Sequence, residues 1–254
     1  MGSGRERRGH GLERVLLIVC ASVVASACEP NLRFSDQAFP QPIERIEVDG
    51  VSSEIEFTVA PTSDGDVLVE RIMRWNHGEP RVEAELAGGV LRLRSACDAP
   101  TEVCDASYTI TSPLPTALRS RSSSGHGHVR AVGARGLDVA RTDGRVELES
   151  ISGEIEIETE TGAVTGAALR CSQCSVRTRA GPVGLAFARA PDSLRIETDS
   201  GNVSVLVPAG SYRLALTSER GAVETSGVDD EPRSAATITI STRRGDIEVR
   251  GLRE

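Results

Sequence analysis

The chain has 254 residues, of which 39% are hydrophobic and only 3% aromatic, and a formal net charge of −8. Every basic residue is Arg, with no Lys at all. That length suits one elongated domain or two small ones, and the acidic balance argues against nucleic acid or an anionic membrane surface as an electrostatic partner.

Residues 1–27 read as a signal peptide. Arg5, Arg7, Arg8 and Arg14 make a charged n-region, and Val15 to Val24 is an apolar run too short to span a bilayer as a helix. Ala25-Ser26-Ala27 has the small-residue form of a cleavage site, and Cys28 follows it directly. Val24-Ala25-Ser26-Ala27-Cys28 resembles a bacterial lipobox without its usual Leu, so Cys28 is the expected lipidation site. Ordinary cleavage after Ala27, releasing a periplasmic or secreted protein, is the alternative. Residues 1–27 carry four Arg and two acids, so the chain beyond them has 25 Arg, 35 acids and a net charge of −10.

Residues 28–42 hold three prolines and little periodicity, and read as a flexible tether. From Ile43 the pattern becomes that of strands. Ile46 and Val48 lead to a turn at Asp49-Gly50, Ile55, Phe57 and Val59 alternate, and Val67 and Val69 repeat the alternation. Val82 to Leu93 suggests two strands around Gly88-Gly89, and Tyr108 and Ile110 precede the strand-stopping Pro113 and Pro115. Solenoid ends need covering, so residues 43–115 are expected to form a β-rich N-terminal cap. Leu118 to Val132 looks like an imperfect first coil of the repeat that occupies the rest of the chain.

Residues 116–254 are organised by a repeat anchored on Gly144, Gly162, Gly181, Gly201, Gly221 and Gly245, spaced 18, 19, 20, 20 and 24 residues apart. Seven before each glycine stands Leu137, Ile155, Cys174, Leu194, Leu214 or Ile238; five before stands Val139, Ile157, Val176, Ile196, Leu216 or Ile240. Three before stands Arg141, Thr159, Thr178, Thr198, Ser218 or Thr242, and two after stands Val146, Val164, Val183, Val203, Val223 or Ile247. Alternation before the glycine and again after it gives two short strands per unit, with glycine supplying the corner. Such a unit buries its apolar face only by stacking on copies of itself. The expected fold is all-β, a parallel β-solenoid of ~20-residue coils; an antiparallel sandwich with regular turns is the other architecture that fits. In the solenoid register Glu158, Arg177 and Glu197 form an outward charge ladder.

The order of a lipobox, early strands, the Cys97-x6-Cys104 pair, Tyr108-Thr-Ile-Thr-x-Pro113 and repeated Ser/Thr-x-x-Gly-x-Val units resembles the DUF4097 group of bacterial β-strand-repeat proteins. Members of that group are often labelled adhesins. The resemblance covers residues 43–250 and implies an exported β-solenoid-like domain engaged in cell-surface interaction, with no catalytic residues to carry over.

Four cysteines remain beyond Cys28, an even number that suggests disulfides in an exported chain. Proximity favours Cys97–Cys104 and Cys171–Cys174. Cys171-Ser172-Gln173-Cys174 is formally C-x-x-C, but it lies between strands rather than at a helix start, where a redox thiol would be activated. A four-cysteine zinc site would need both pairs to converge. His126 and His128 could face one way on a strand and share a metal, but a Gly-rich surface turn is the blander account and the one expected. Glu154, Glu156 and Glu158 share one strand face and could serve glycoside chemistry, yet the repeats offer only Phe187 and Tyr212 as aromatic platforms.

These residues point to a chain with no catalytic residue, metal or cofactor: a structural or adhesion module of the cell envelope. Its expected partners are a membrane, through the lipid, and a protein or envelope polymer. A polysaccharide-active β-helix and an envelope-stress sensor or regulatory partner are the alternatives.

Overall fold

The computed structural model describes residues 29–98, 103–122 and 127–252. They form two 11-stranded sheets. The first runs, in spatial order, β1 (Asn31–Phe39), β4 (Val67–Trp75), β7 (Cys104–Ser112), β3 (Ser52–Val59), β9 (His128–Val132), β11 (Val146–Glu149), β13 (Val164–Leu169), β15 (Val183–Phe187), β17 (Val203–Pro208), β22 (Ile247–Leu252) and β19 (Val223–Ser226). The second runs β20 (Val228–Asp230), β18 (Gly210–Ser218), β21 (Thr237–Arg244), β16 (Ser193–Ser200), β14 (Gln173–Ala180), β12 (Ile155–Thr161), β10 (Gly136–Asp143), β8 (Ala117–Ser122), β2 (Arg45–Gly50), β6 (Val90–Ala96) and β5 (Arg81–Ala87). Each coil places one strand in each sheet, and the pairing is parallel throughout the repeat, so the solenoid register holds and the sandwich alternative falls.

The rows read from the sequence are the rows of the structure. Leu137, Ile155, Cys174, Leu194, Ile238 and Leu214 are consecutive partners, as are Val139, Ile157, Val176, Ile196, Ile240 and Leu216. Val146, Val164, Val183, Val203, Ile247 and Val223 line up in the first sheet. Their inward side chains make a narrow, almost wholly aliphatic core between the sheets.

The order of coils departs from chain order at the C-terminal end. The Thr237–Leu252 coil inserts between the Ser193–Pro208 coil and the Gly210–Ser226 coil, instead of closing the stack. The reason is apolar content: Ile238, Ile240, Ile247 and Val249 are fully buried inside, whereas β19 brings only Val223 and Thr225 and is exposed along its length. At the other end β2 and β3 likewise sit inside β6 and β7, and the antiparallel strands β4 and β5 cover that coil. The tether expected over residues 28–42 is corrected in part: Asn31–Phe39 is strand β1, antiparallel to β4 at the sheet edge. Its sequence hides the strand because Asn31, Arg33, Ser35 and Gln37, on the same face as the buried Phe39, are all polar, and at the sheet edge they stay largely exposed.

The glycines are required by contact as much as by conformation. Gly144, Gly162, Gly181 and Gly245 have φ between +123° and +144°, but Gly201 and Gly221 do not. What all six share is close stacking: a Cβ on Gly162 would lie 1.8 Å from the Gly144 carbonyl oxygen, and one on Gly201 would lie 2.0 Å from that of Gly181. Corner and stacking contact together demand glycine at each coil.

Candidate functional site

The outward face of the second sheet carries the most side-chain chemistry. Its strands alternate, so the positions four and two before each glycine point outward while the threonine row between them is buried. A shallow groove of 940 Å³ runs along these positions, from Asp49 on β2 through β8, β10, β12, β14, β16 and β21 to Glu219 beyond β18. Strand spacing of about 4.8 Å makes it roughly 35 Å long.

Its walls are ion pairs repeated at coil spacing. Arg177 Nε lies 3.1 Å from Glu197 Oε2, and Arg177 Nη1 lies 3.8 Å from Glu158 Oε1, which is the ladder the register predicts. Two positions along, Arg179 pairs with Glu160 at 3.1 Å and Arg243 with Asp199 at 2.9 Å. Arg195 also pairs with Glu197. The hydrogen bonds from Arg195 and Arg177 hold the Glu197 carboxyl below the usual range, and the partnership with Glu197 raises the Arg177 guanidinium. Arg141 takes the place of threonine in the buried row, and burial lowers its pKa to about 10.

Glu154, Glu156 and Glu158 do not act as one site. Glu158 lines this groove, while Glu154 and Glu156 line a second one of 620 Å³ at the start of the same strands. Neither groove has an aromatic lining, since Phe187 and Tyr212 are buried. His128 Nε2 stands 3.6 Å from Glu147, and His126 lies outside the described residues. No group of three or more His, Cys, Asp or Glu among the described residues could hold a metal ion.

Cys97 and Cys104 form a disulfide joining the end of β6 to the start of β7. The Cys171–Cys174 bond expected from spacing is a correction: both are free, buried thiols, linked by a hydrogen bond that pushes Cys171 down and Cys174 up. Cys174 fills the inward aliphatic row between Ile155 and Leu194, where a thiol packs as a small core group. Cys28 lies outside the described residues. Sequence reasoning missed Glu47, a buried carboxylate held by Arg45 at 2.9 Å, Arg92 at 3.2 Å and Arg119 at 3.8 Å. Only the neighbouring strands β6 and β8, distant in sequence, bring Arg92 and Arg119 to it.

The paired sheets, stacked coils and glycine column are the frame in which comparison with known proteins is informative. The Toastrack DUF4097 family model matches residues 43–250. The chain belongs to that family. The Toastrack span runs from just before β2 into β22 and leaves β1 outside it. Three solved structures are similar in fold. A "putative cell adhesion protein" of Clostridium sporogenes is 13% identical, with 88% of this chain and 100% of that one covered and a TM-score of 0.40. A "putative adhesin" of Bacteroides fragilis is 17% identical, covering 86% and 97%, with a TM-score of 0.44. Another from Parabacteroides distasonis is 16% identical, covering 86% and 97%, with a TM-score of 0.46. No curated protein sequence matches the chain.

Proposed function

We propose that this chain is an exported, non-enzymatic interaction module of the bacterial envelope, anchored through lipid on Cys28, whose ribbed groove grips an extended ligand. That ligand is an envelope polymer or a protein segment. The groove carries the reading: it crosses seven strands of one sheet and reaches Glu219 beyond β18, and its charged groups recur at a fixed spacing on a rigid backbone, which suits a repeating or extended chain. The Cys97–Cys104 disulfide supports an oxidising compartment.

The enzyme alternative needs a carboxyl tuned upward as general acid. Glu197 is tuned the other way. Glu158 and Glu160 are each paired with arginine.

Two measurements test the proposal. Intact mass and membrane fractionation of the wild type beside Cys28→Ser should show an acylglyceryl mass that the variant loses; a clean cut after Ala27 would remove the anchor. Co-sedimentation with isolated envelope polymer should be at least about tenfold weaker for Arg177→Ala/Arg179→Ala, equivalent to 1.4 kcal/mol. Equal binding by the variant would take the groove out of the function, and cleavage of the polymer would favour the enzyme.

A further inference from the structure

The chain beyond Cys28 reaches the fold almost at once. Only Glu29 and Pro30 separate Cys28 from β1. Three peptide steps span at most about 10 Å, so whatever holds Cys28 lies that close to Asn31. β1 is the edge strand of the first sheet, and its outward side chains include Leu32 and Phe34. Phe34 is 69% exposed and Leu32 54%, and Ile72, facing Phe34 across the ladder, is 38% exposed. The other large exposed apolar side chains among the described residues, Leu114, Val223 and Leu252, stand elsewhere. The one cluster is therefore on the strand nearest the anchor. Arg74 flanks it, paired with Leu32 in register, and Asp36 opposite Glu70 closes its far side. An apolar patch with a polar rim marks a surface that is covered in use.

We propose that this corner rests on the bilayer that holds Cys28, with Phe34, Leu32 and Ile72 in the headgroup region. This rests on the lipid-anchor reading above. No tether is left to lift the fold away, and the facing carboxylates Asp36 and Glu70 limit the contact to the end near Cys28. The contact is apolar rather than electrostatic, in keeping with the chain's acidic balance. The Gly210–Ser226 coil is the opposite end of the stack, so the groove leads away from the membrane.

The test uses the full chain, expressed in a bacterial host and reconstituted into phosphatidylcholine vesicles with plain or brominated acyl chains. Trp75→Phe removes the only native indole. Phe34→Trp in that background should lose emission in brominated vesicles, and Thr225→Trp, at the far end of the stack, should not. Trp75 lies on the opposite face, packed against the core, and does not report on this contact; adding Leu32→Ser and Ile72→Ser to the Phe34→Trp protein should reduce the loss while it keeps its lipid mass. A lipidated Phe34→Trp protein with equal emission in both vesicles would overturn the docking and leave the anchor standing. A wild type without lipid would overturn both. A vesicle-independent dimer that Leu32→Ser/Phe34→Ser dissolves would assign the patch to a second copy instead.

Discussion

Thr159, Thr178, Thr198 and Thr242 hold equivalent buried places beneath the groove, and Arg141 stands in the same row one coil earlier. A threonine there adds a methyl to the core, whereas a guanidinium there carries charge out of water. Burial lowers the Arg141 pKa to about 10, so the folded state disfavours its charged form. The cost is present in full below pH 10 and is relieved as pH rises above it, because the unfolded chain keeps its proton to higher pH. A shift of this size caps the cost at about 3 kcal/mol, and the contacts Arg141 makes in place offset part of it. Arg141→Thr should therefore raise stability by about 1 kcal/mol, or 2–4 °C in melting temperature, evenly from pH 5 to 9 and less at higher pH. A lower melting temperature for the variant would show that its contacts outweigh the desolvation.

At the scale of the strand, the inward rows carry the stability and the outward ladder carries little. Ile196 sits fully buried between Val176 and Ile240, and Glu197, next to it, faces solvent with its arginines. Burying a side chain such as Ile196 is worth about 1.5–3 kcal/mol, and a carboxylate in its place adds desolvation. Exposed ion pairs are worth about 0–1 kcal/mol. Ile196→Asp should unfold the middle coils, while Glu197→Ala should leave the melting temperature almost unchanged; equal losses would break the register. That register was legible because alternation and glycine spacing are local and recur six times. The Glu158–Arg177–Glu197 ladder followed from it directly. The Glu160–Arg179 and Asp199–Arg243 pairs complete the groove in the same way, at positions whose pattern is plain once the strand faces are known. β1 was not legible, since Arg33 and Gln37 point where a core residue is expected. Nor was the state of Cys171 and Cys174, because spacing sets proximity but not bond formation.

At the scale of the whole molecule, neither end of the stack is the end of the repeat in sequence. The last coil of the chain, Thr237–Leu252, is clasped between two others, and the coil before it forms the end. Two coils with the same glycine-anchored pattern competed for the inner place, and the pattern alone ranks them equally. The ranking comes from how much aliphatic surface each brings, Ile238, Ile240, Ile247 and Val249 against Leu214, Leu216 and Val223. A stack in which each layer touches only its neighbours opens from the outside. Apart from its short edge pairing with β20, the Gly210–Ser226 coil holds one interface in each sheet, whereas the clasped coil holds two. Amide exchange should therefore be slower at Thr239 and Ser241, whose N–H groups face β16, than at Ala215 and Thr217, whose N–H groups face β21, by at least about tenfold, or 1.4 kcal/mol, although the slower pair lies nearer the C-terminus. Chain-order stacking gives the reverse, with the Leu214–Leu216 strand held on both sides and the last coil fraying first. Exchange measured at these four amides separates the two arrangements, and faster exchange at Thr239 and Ser241 would overturn the clasp.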